Sequence, residues 1–454
     1  MDCPAPEALR LTEGHFPGIT ADDHGICPKR GLYRMSIQVR VLSCLLVFIM
    51  LFSCTALAEE GAVQAETAVE ITKKAKITVS AHKNDKGYLT DGNIRETWFD
   101  EGRGYMEFTL PKETPCWGIY IQFDTILDTA LQVEDENGEW ADAELLPGDY
   151  YNKYVPLEGL THFRIQNKSG KDKKLMGVRE VHLLSAGALP DWVQVWQPFE
   201  GKADLLVISA HPDDELIFFG GTIPYYAVVQ GKKVQVAYIA SVSARRRIEL
   251  LDGLWSMGVR TYPQMPTSGF KDVYSGSKAG MYQTWREENL EDYITWLLRY
   301  YRPDVVVTHD LGGEYGHGAH KCVAAVTCKA VEKLGAKVNY NGGRSKKLEP
   351  WQVKKLYIHL YEKNSITMDW GEPQECYGGK TCLEMAQAAF KYHVSQQSSP
   401  HSVEDVNYGV YNNKVFGLYY TAVGPDTGGS NEFIVGDSAQ KFDFFENIEP
   451  AQEE

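Results

Sequence analysis

The sequence has no excess of positive charge, because 61 Asp and Glu residues outnumber 46 Lys and Arg residues and give a formal net charge of -15. A negative field repels phosphate backbones, so we expect no nucleic-acid partner. The chain lacks the repeated apolar runs of a polytopic membrane protein. Its 43% hydrophobic and 24% charged residues exclude a mainly disordered or collagen-like chain. The length of 454 residues predicts two or three domains.

Cysteine is scarce as well, since only five of the nine cysteines follow residue 54. Cys376 and Cys382 flank the glycine turn YGGKT, which would allow a small disulfide between them. Cys322 and Cys328 lie six residues apart on a predicted helix and therefore point to different faces. We expect these two to be buried, free thiols.

One long apolar run is present, VLSCLLVFIMLFSCTALA at residues 41–58. Arg40 precedes it, and Ala56-Leu57-Ala58 ends it in the manner of a cleavage site. Residues 35–58 are therefore predicted to be a secretory signal peptide. The alternative is an uncleaved membrane anchor.

The surroundings of this run carry two further expectations. Residues 1–34 show no periodicity, so we interpret them as a non-native upstream extension, with Met35 as the true start. The segment Leu51-Phe52-Ser53-Cys54 is similar to the lipobox of bacterial lipoproteins, which would attach the chain to a membrane through a lipid on Cys54. Either way, we expect a bacterial protein in the cell envelope or the extracellular space.

The remaining sequence divides into two bodies. Residues 62–186 contain short runs such as YMEFTL, WGIYIQF and HFRIQN between turn residues, which predicts an all-β sandwich. Residues 203–445 alternate apolar strands such as DLLVISA and PDVVVTH with helical stretches. This pattern predicts an α/β domain with a Rossmann-like, mostly parallel sheet flanked by helices. Residues 187–202 are the predicted linker.

The sharpest motif is His211-Pro212-Asp213-Asp214-Glu215, directly after the strand DLLVISA. Open α/β folds bind ligands at the carboxyl ends of their strands. Imidazole and carboxylate are good zinc ligands, so His211 and Asp214 are candidate ligands. Asp213 would stay free beside them as a base. Taken alone, an Asp pair after a strand is also a common helix N-cap.

A second cluster, GEYGHGAH at residues 313–320, follows the predicted strand 304–309. His317 and His320 are three residues apart where a helix opens, so they face one way. One can bind a metal while the other faces a substrate. Two histidines and one carboxylate leave an open coordination position, as a catalytic site requires. Such a site also accepts iron or cobalt.

In this combination the motifs resemble the PIG-L/LmbE-like zinc-dependent deacetylases, which include N-acetylglucosaminyl deacetylases. The resemblance runs from about residue 203 to about residue 440. It rests on AHPDDE, on Arg246-x-x-Glu249 followed by Gly258, on EYGHGAH, on His393-Val394-Ser395-Gln396 and on VFGLYYTAVGPD.

The resemblance implies a role for each matching residue. It implies one zinc ion bound by His211, Asp214 and His320. Asp213 would be the general base toward the attacking water. His317 would be a protonated partner that stabilises the oxyanion or protonates the leaving amine, and Tyr315 would assist the oxyanion. Arg246 would contact the sugar, while Glu215 and His393 would brace the site from behind.

Several neighbouring positions leave alternatives open. Arg246 lies in a run of three arginines, of which one would face the site while the others are solvated. Glu249 is expected to be a salt-bridge partner on the helix. Several family members carry an acidic residue just before the last zinc histidine, where this chain has Ala319. The tuning of His317 would therefore depend on Asp310 or Glu314.

The first body resembles galactose-binding-like (F5/8 type C, discoidin) jelly rolls, on Leu89-Thr90-Asp91-Gly92-Asn93 followed by Thr97-Trp98. Such domains bind sugars or serve as spacers, and some hold a structural calcium ion. Asp91 and Asn93 would supply oxygen ligands for Ca²⁺. A plain turn is the alternative.

These features favour an exported zinc hydrolase that removes the acetyl group from an N-acetylglucosamine-type sugar or glycan. The alternatives are a hydrolase of another N-acyl amino sugar and a carbohydrate-binding adhesion protein without catalytic activity. No protein partner is inferred.

Overall fold

The computed structural model describes residues 66–170, 173–266, 268–333, 344–398, 402–403, 411–426 and 442–448. The predicted extension, the signal peptide and Cys54 lie outside these residues. Within the described residues, no helix is both long and apolar enough to cross a membrane.

The first body is a sandwich of two antiparallel sheets. One sheet has the strand order β1-β3-β8-β5-β6 and the other β2-β9-β4-β7. The strands are β1 (Lys76–Val79), β2 (Trp98–Phe99), β3 (Tyr105–Thr109), β4 (Cys116–Phe123), β5 (Thr129–Glu134), β6 (Trp140–Leu146), β7 (Asn152–Leu160), β8 (His162–Asn167) and β9 (Gly177–Leu184). Short 3₁₀ helices span Thr72–Lys74 and Lys83–Leu89. The inner faces close over a core that includes Trp98, Phe108 and Phe163. This confirms the predicted all-β sandwich.

Strands β6 and β7 had no clear sequence signal. Both are edge strands, and five consecutive residues of β6 are exposed, so no apolar alternation marks it. Strand β7 contains Pro156, which an edge strand tolerates because one side of its backbone needs no ladder partner.

The second body is a six-stranded sheet in the order β11-β10-β12-β13-β15-β14. Strands β10 to β13 are parallel, and β15 pairs antiparallel with both β13 and β14. The strands are β10 (Leu205–Ser209), β11 (Val234–Tyr238), β12 (Val305–Thr308), β13 (Lys355–His359), β14 (Ser365–Thr367) and β15 (Val415–Thr421). The four parallel strands are buried along their whole length, which explains why their sequences are mainly apolar.

Helices cover this sheet. They are α1 (Asp214–Ile217), α2 (Thr222–Pro224), α3 (Ala244–Ser256), α4 (Lys278–Trp285), α5 (Glu287–Tyr301), α6 (Gly318–Lys333) and α7 (Cys382–Phe390). A π-helical turn, Tyr225–Val229, continues α2, and 3₁₀ turns span Arg344–Lys347, Glu375–Tyr377 and Val394–Gln396. The predicted α/β architecture with a mostly parallel sheet is confirmed.

The predicted linker is packed rather than extended. Val193 and Trp196 are buried, and Gln197 exchanges backbone hydrogen bonds with Arg260 and Tyr262. The range Ala65–Glu454 forms one compact unit. The sandwich therefore lies firmly against the α/β body.

The disulfide that the glycine turn would allow between Cys376 and Cys382 is not formed, and all five cysteines of the described residues are free. Cys376 is exposed on the turn, whereas the side chain of Cys382 points into the core at the first residue of α7. Cys322 and Cys328 are buried on α6, as expected. Burial raises the pKa of their thiols to about 11 and about 12, respectively.

Candidate metal centre and active site

The two sequence motifs meet at one edge of the sheet. Strands β10 and β12 are parallel neighbours, so the segments that follow their carboxyl ends lie side by side. One segment carries His211 and Asp214, and the other leads to His320. Each of these three buried side chains offers a donor atom, and the three atoms lie within 4.8 Å of one another.

The donor chemistry of this cluster fits a divalent cation. His211 Nε2 and His320 Nε2 are buried and make no hydrogen bond within the described part of the chain. Asp214 Oδ2 lies 3.1 Å from His320 Nε2 and accepts a hydrogen bond from the backbone N–H of His211. Burial alone would raise the pKa of Asp214, but the neighbouring His320 and His211 hold it well below its ordinary value. The carboxylate is thus ionised, as a metal ligand must be.

Glu314 lies behind the cluster and was not recognised as its support. Its Oε2 lies 2.7 Å from His320 Nδ1, while its Oε1 lies 3.2 Å from His309 Nδ1 and 3.0 Å from His359 Nδ1. A carboxylate at Nδ1 keeps the proton on that nitrogen and leaves the Nε2 lone pair for a metal. His309, Glu314 and His320 form a second geometrically compact group. The polar atoms of this second group already pair with one another, because Glu314 accepts hydrogen bonds from both histidine rings.

The position of Glu314 corrects one expectation. It faces His309, His320 and His359, so it does not tune His317. His317 lies one residue before α6, and its Nδ1 accepts the backbone N–H of Ala319 at 3.0 Å. Burial, and then the adjacent His211 and His320, lower the pKa of His317 to about 3. Because Nδ1 accepts that N–H, the ring has its proton on Nε2 in this geometry, and the role of His317 as a protonated partner stays a prediction.

Asp213 lies beside the metal candidates in a strained backbone conformation with φ of 107°. Its backbone N–H donates to Glu215 Oε2 at 2.9 Å, and its Oδ1 accepts a hydrogen bond from Arg246 Nη2 at 2.8 Å. Burial and the neighbouring Asp214 raise the pKa of Asp213 well above its ordinary value, while Arg246 opposes the rise. A carboxyl group tuned in this way is suited to accept a proton.

Glu215 and His393 lie behind Asp213. Burial raises the pKa of Glu215 to about 8, although the hydrogen bond that its carboxylate accepts from the Asp213 backbone N–H opposes the rise. His393 is fully buried, with its Nε2 3.9 Å from Glu215 Oε1. Burial, and then the charge of Arg246, lower the pKa of His393 to about 3, so its ring is neutral.

The three arginines of helix α3 have three different environments. Arg246 enters the site, where Nη1 donates to Asp272 Oδ2 at 2.6 Å. Arg245 Nε pairs with Glu249 Oε1 at 2.9 Å, so the expected helix salt bridge is present. Glu249 also accepts hydrogen bonds from the backbone and hydroxyl of Ser395. Arg247 was expected to be solvated, but it is buried against the sandwich.

A cleft of about 220 Å³ opens over His211, Asp214 and Asp213, and the third metal candidate, His320, is buried behind its wall. Tyr315 and His317 line it, as expected, and burial raises the pKa of Tyr315 so that its hydroxyl stays protonated. Asp272, Tyr274 and Gln396 also line the cleft and were not assigned a role from the sequence. Gln396 had a signal, because it ends the His393–Gln396 motif.

The α/β body matches a known family. Residues 206–331 match the family model described as PIG-L: GlcNAc-PI de-N-acetylase. The 1D-myo-inositol 2-acetamido-2-deoxy-alpha-D-glucopyranoside deacetylase of Rhodococcus jostii is 31% identical over 189 residues, which is 36% of this chain and 63% of the relative. The Mycolicibacterium smegmatis protein of the same name is 30% identical over 188 residues, or 36% of this chain and 61% of the relative. The chain thus spans less than two thirds of the length of these relatives.

Two solved structures were matched to parts of the chain, both with low TM-scores. The N,N'-diacetylchitobiose deacetylase of Pyrococcus horikoshii has a TM-score of 0.34 and 19% identity, and covers 43% of this chain and 72% of its own. An F5/8 type C domain from Bacteroides fragilis has a TM-score of 0.22 and 18% identity, and covers 26% of this chain and 95% of its own. The resemblance inferred from the sequence motifs is confirmed for residues 206–331, which match the PIG-L family model.

Proposed function

We propose that this protein is an exported, zinc-dependent hydrolase that removes the acetyl group from an N-acetylglucosamine-type sugar or glycan. One observation carries the proposal: His211, Asp214 and the separate carboxyl group of Asp213 line a single cleft, and the buried His320 completes a two-histidine, one-carboxylate donor set behind it. Amide hydrolysis needs both an electrophilic centre and a base.

Zinc bound by His211, Asp214 and His320 would polarise the acetyl carbonyl and acidify the attacking water. Residues of the protein would accept the proton of the water and stabilise the oxyanion. Arg246 holds Asp213 Oδ1, which leaves Oδ2 to accept the proton of the water. As negative charge develops on the carbonyl oxygen, the Tyr315 hydroxyl and the Nε2–H of His317 are the nearby donors that would stabilise it.

The neutral state of His317 affects the last step. A ring without a spare proton is a poor acid for the leaving amine. Asp213, once protonated by the water, holds a proton next to the scissile bond. We therefore assign the protonation of the leaving amine to Asp213, and hydrogen bonding to the oxyanion to His317.

The choice of substrate is supported by the relatives, whose names describe deacetylases of N-acetylated glucosamine derivatives. Export is supported by the apolar run at residues 41–58. Location in the cell envelope or outside the cell would favour a wall, host or dietary glycan over an intracellular metabolite.

The test is acetate release by the zinc-loaded protein from N-acetylglucosamine, chitooligosaccharides and peptidoglycan fragments, beside an Asp213→Ala variant. We expect release by the wild type and a loss of about 100-fold or more in the variant. Zinc binding without release from any of these compounds would move the substrate to another N-acyl amino sugar. Absence of both zinc and activity would favour the adhesion function.

We also propose a structural Ca²⁺ ion in the sandwich. Glu180 is buried beside Asp91, and its Oε1 has no hydrogen-bond partner in the described residues. Burial and the Asp91 carboxylate raise the pKa of Glu180 to about 7, a repulsion that a cation would relieve. Asp91 Oδ1 and Asn93 Oδ1 accept backbone hydrogen bonds of the same turn. Millimolar Ca²⁺ should raise the Tm of the wild type and leave that of Glu180→Gln unchanged; equal shifts would contradict the site.

A further inference from the structure

Arg247 connects the sandwich to the catalytic body. Its side chain is nine-tenths buried, and its guanidinium carbon lies 3.4 Å from the centre of the Tyr151 ring. Its Nη2 donates to the backbone oxygen of Asp124 at 3.3 Å and lies 3.5 Å from Asp124 Oδ1. A desolvated cation on an aromatic face is an energetically significant contact.

The sandwich side of this contact is itself fixed. Asp124 Oδ1 accepts hydrogen bonds from Arg179 Nη2 at 2.7 Å and from Arg179 Nε at 3.0 Å. The backbone N–H of Tyr151 donates to the hydroxyl of Tyr262 at 3.2 Å. Asp124 and Tyr151 directly border strands β4 and β7, and backbone hydrogen bonds from Phe123 to Tyr151 at 2.7 Å and from Asp124 to Gly177 at 2.8 Å hold them there.

A second contact holds the same helix one to two turns further on. Gln194 donates its amide N–H to Asp252 Oδ1 on α3 and accepts a hydrogen bond from Asn152 of the sandwich at 2.8 Å. Helix α3 is therefore attached to the sandwich at both Arg247 and Asp252. Two attachments fix its rotation about its own axis as well as its position.

Helix α3 also supplies the active site. Arg246, adjacent to Arg247, donates to Asp213 and Asp272, and Glu249 holds the backbone of Ser395. Consecutive residues of a helix point about 100° apart, so a fixed Arg247 sets the direction of Arg246.

We propose that the sandwich is an integral part of the catalytic machinery and that Arg247, Tyr151 and Asp124 are positioning residues for Arg246. The inference rests on the proposed function only for the expected change in the kinetics of acetate release; the structural role of Arg247 does not depend on it. A domain that acted only as a sugar-binding module would not need a desolvated Arg247 next to Arg246, the residue that donates to Asp213.

The experiment compares Asp124→Asn and Arg247→Lys with Asp142→Asn in the full chain. Asp142 is the matched control, because it is another sandwich carboxylate paired with a base, at 2.7 Å from Lys168 Nζ, and it lies on β6, an edge strand of the sheet that does not contain β4 and β7. Arg247→Lys keeps the charge and loses the planar face that stacks on Tyr151. Hydrogen exchange, zinc affinity and the kinetics of acetate release are measured for each variant.

We expect faster exchange of the amides in the first turns of α3, with the amides of α6 unchanged, in both interface variants. The zinc affinity should equal that of the wild type, while kcat/KM falls about tenfold. Asp142→Asn should match the wild type in every readout. Unchanged exchange in α3, or equally faster exchange in α3 and α6, would overturn the proposal. If no substrate is found, the exchange and zinc measurements still decide it, so its failure is distinct from that of the proposed function.

Discussion

Replacement of Glu314 by glutamine should weaken metal binding without removing a metal ligand. Glu314 is buried and accepts N–H groups from three rings, at 3.2 Å from His309, 2.7 Å from His320 and 3.0 Å from His359. Glutamine keeps the shape of the side chain but turns one of its acceptors into a donor.

Neither orientation of the amide satisfies the three rings. If its NH₂ faces His320 Nδ1, that ring must move its proton to Nε2, the nitrogen that would bind the metal. If its NH₂ faces the other two rings, this NH₂ group and the Nδ1–H of His309 are two hydrogen-bond donors that point at each other. Its proton cannot move, because His309 Nε2 accepts the backbone N–H of Ala210 at 2.9 Å. One unsatisfied buried donor costs about 1 to 3 kcal/mol, which agrees with the ~10- to 100-fold loss of metal affinity seen when a group that supports a ligand is removed.

The assay is competition for zinc with a chromogenic chelator, for wild type, Glu314→Gln and Glu332→Gln. Glu332 is the control, because it lies on α6, the helix that carries His320, is exposed, and accepts a hydrogen bond from the Tyr419 hydroxyl at 2.8 Å. The Co²⁺ absorption spectrum reports whether the coordination geometry changes. A zinc affinity of Glu314→Gln that stays close to that of the wild type and the control would refute the reasoning.

Two further predictions concern stability. Burial raises the pKa of Asp252 to about 7, so its folded-state pKa lies above its unfolded-state value and the fold loses stability as pH rises from about 4 to 7. The shift sets an upper bound of ~4 kcal/mol. In denaturant titrations, Asp252→Asn should be more stable than the wild type at pH 7.5 and not at pH 4.5; a difference independent of pH would contradict this. A Cβ at Gly221 would lie 2.8 Å from Trp370 Cγ and 2.9 Å from Cys382 Cβ, so Gly221→Ala should cost about 1 to 3 kcal/mol. Gly87→Ala, which meets no atom within 4 Å, is its control, and equal Tm values for the two variants would count against the packing argument.

The sequence was most informative where a motif directly followed an apolar strand. His211, Asp214 and His320 could be brought together because the strands before them were recognisable as parallel and buried. His359 ends strand β13 without any motif, and its contact with Glu314 depends on the pairing of β12 with β13. Strand order is a long-range property, so local pattern did not reveal this residue.

The contacts between the two bodies were the second gap. Three consecutive arginines predict one that faces inward, but they do not predict that Arg247 contacts the ring of Tyr151 in the sandwich. Likewise, the glycine turn between Cys376 and Cys382 suggested a disulfide, while burial of Cys382 in the core decided otherwise. In both cases tertiary packing overrode a local pattern.

The most direct test of the account separates the base from the ligand next to it. Zinc content and acetate release are measured together for Asp213→Asn and Asp214→Asn on the best substrate of the wild type. Asp213 is assigned to proton transfer, so Asp213→Asn should retain one zinc ion per chain and lose ~100-fold or more in rate. Asp214→Asn should lose both zinc and activity. An Asp213→Asn variant that remains active with zinc bound, or an Asp214→Asn variant that binds zinc as the wild type does, would contradict the account.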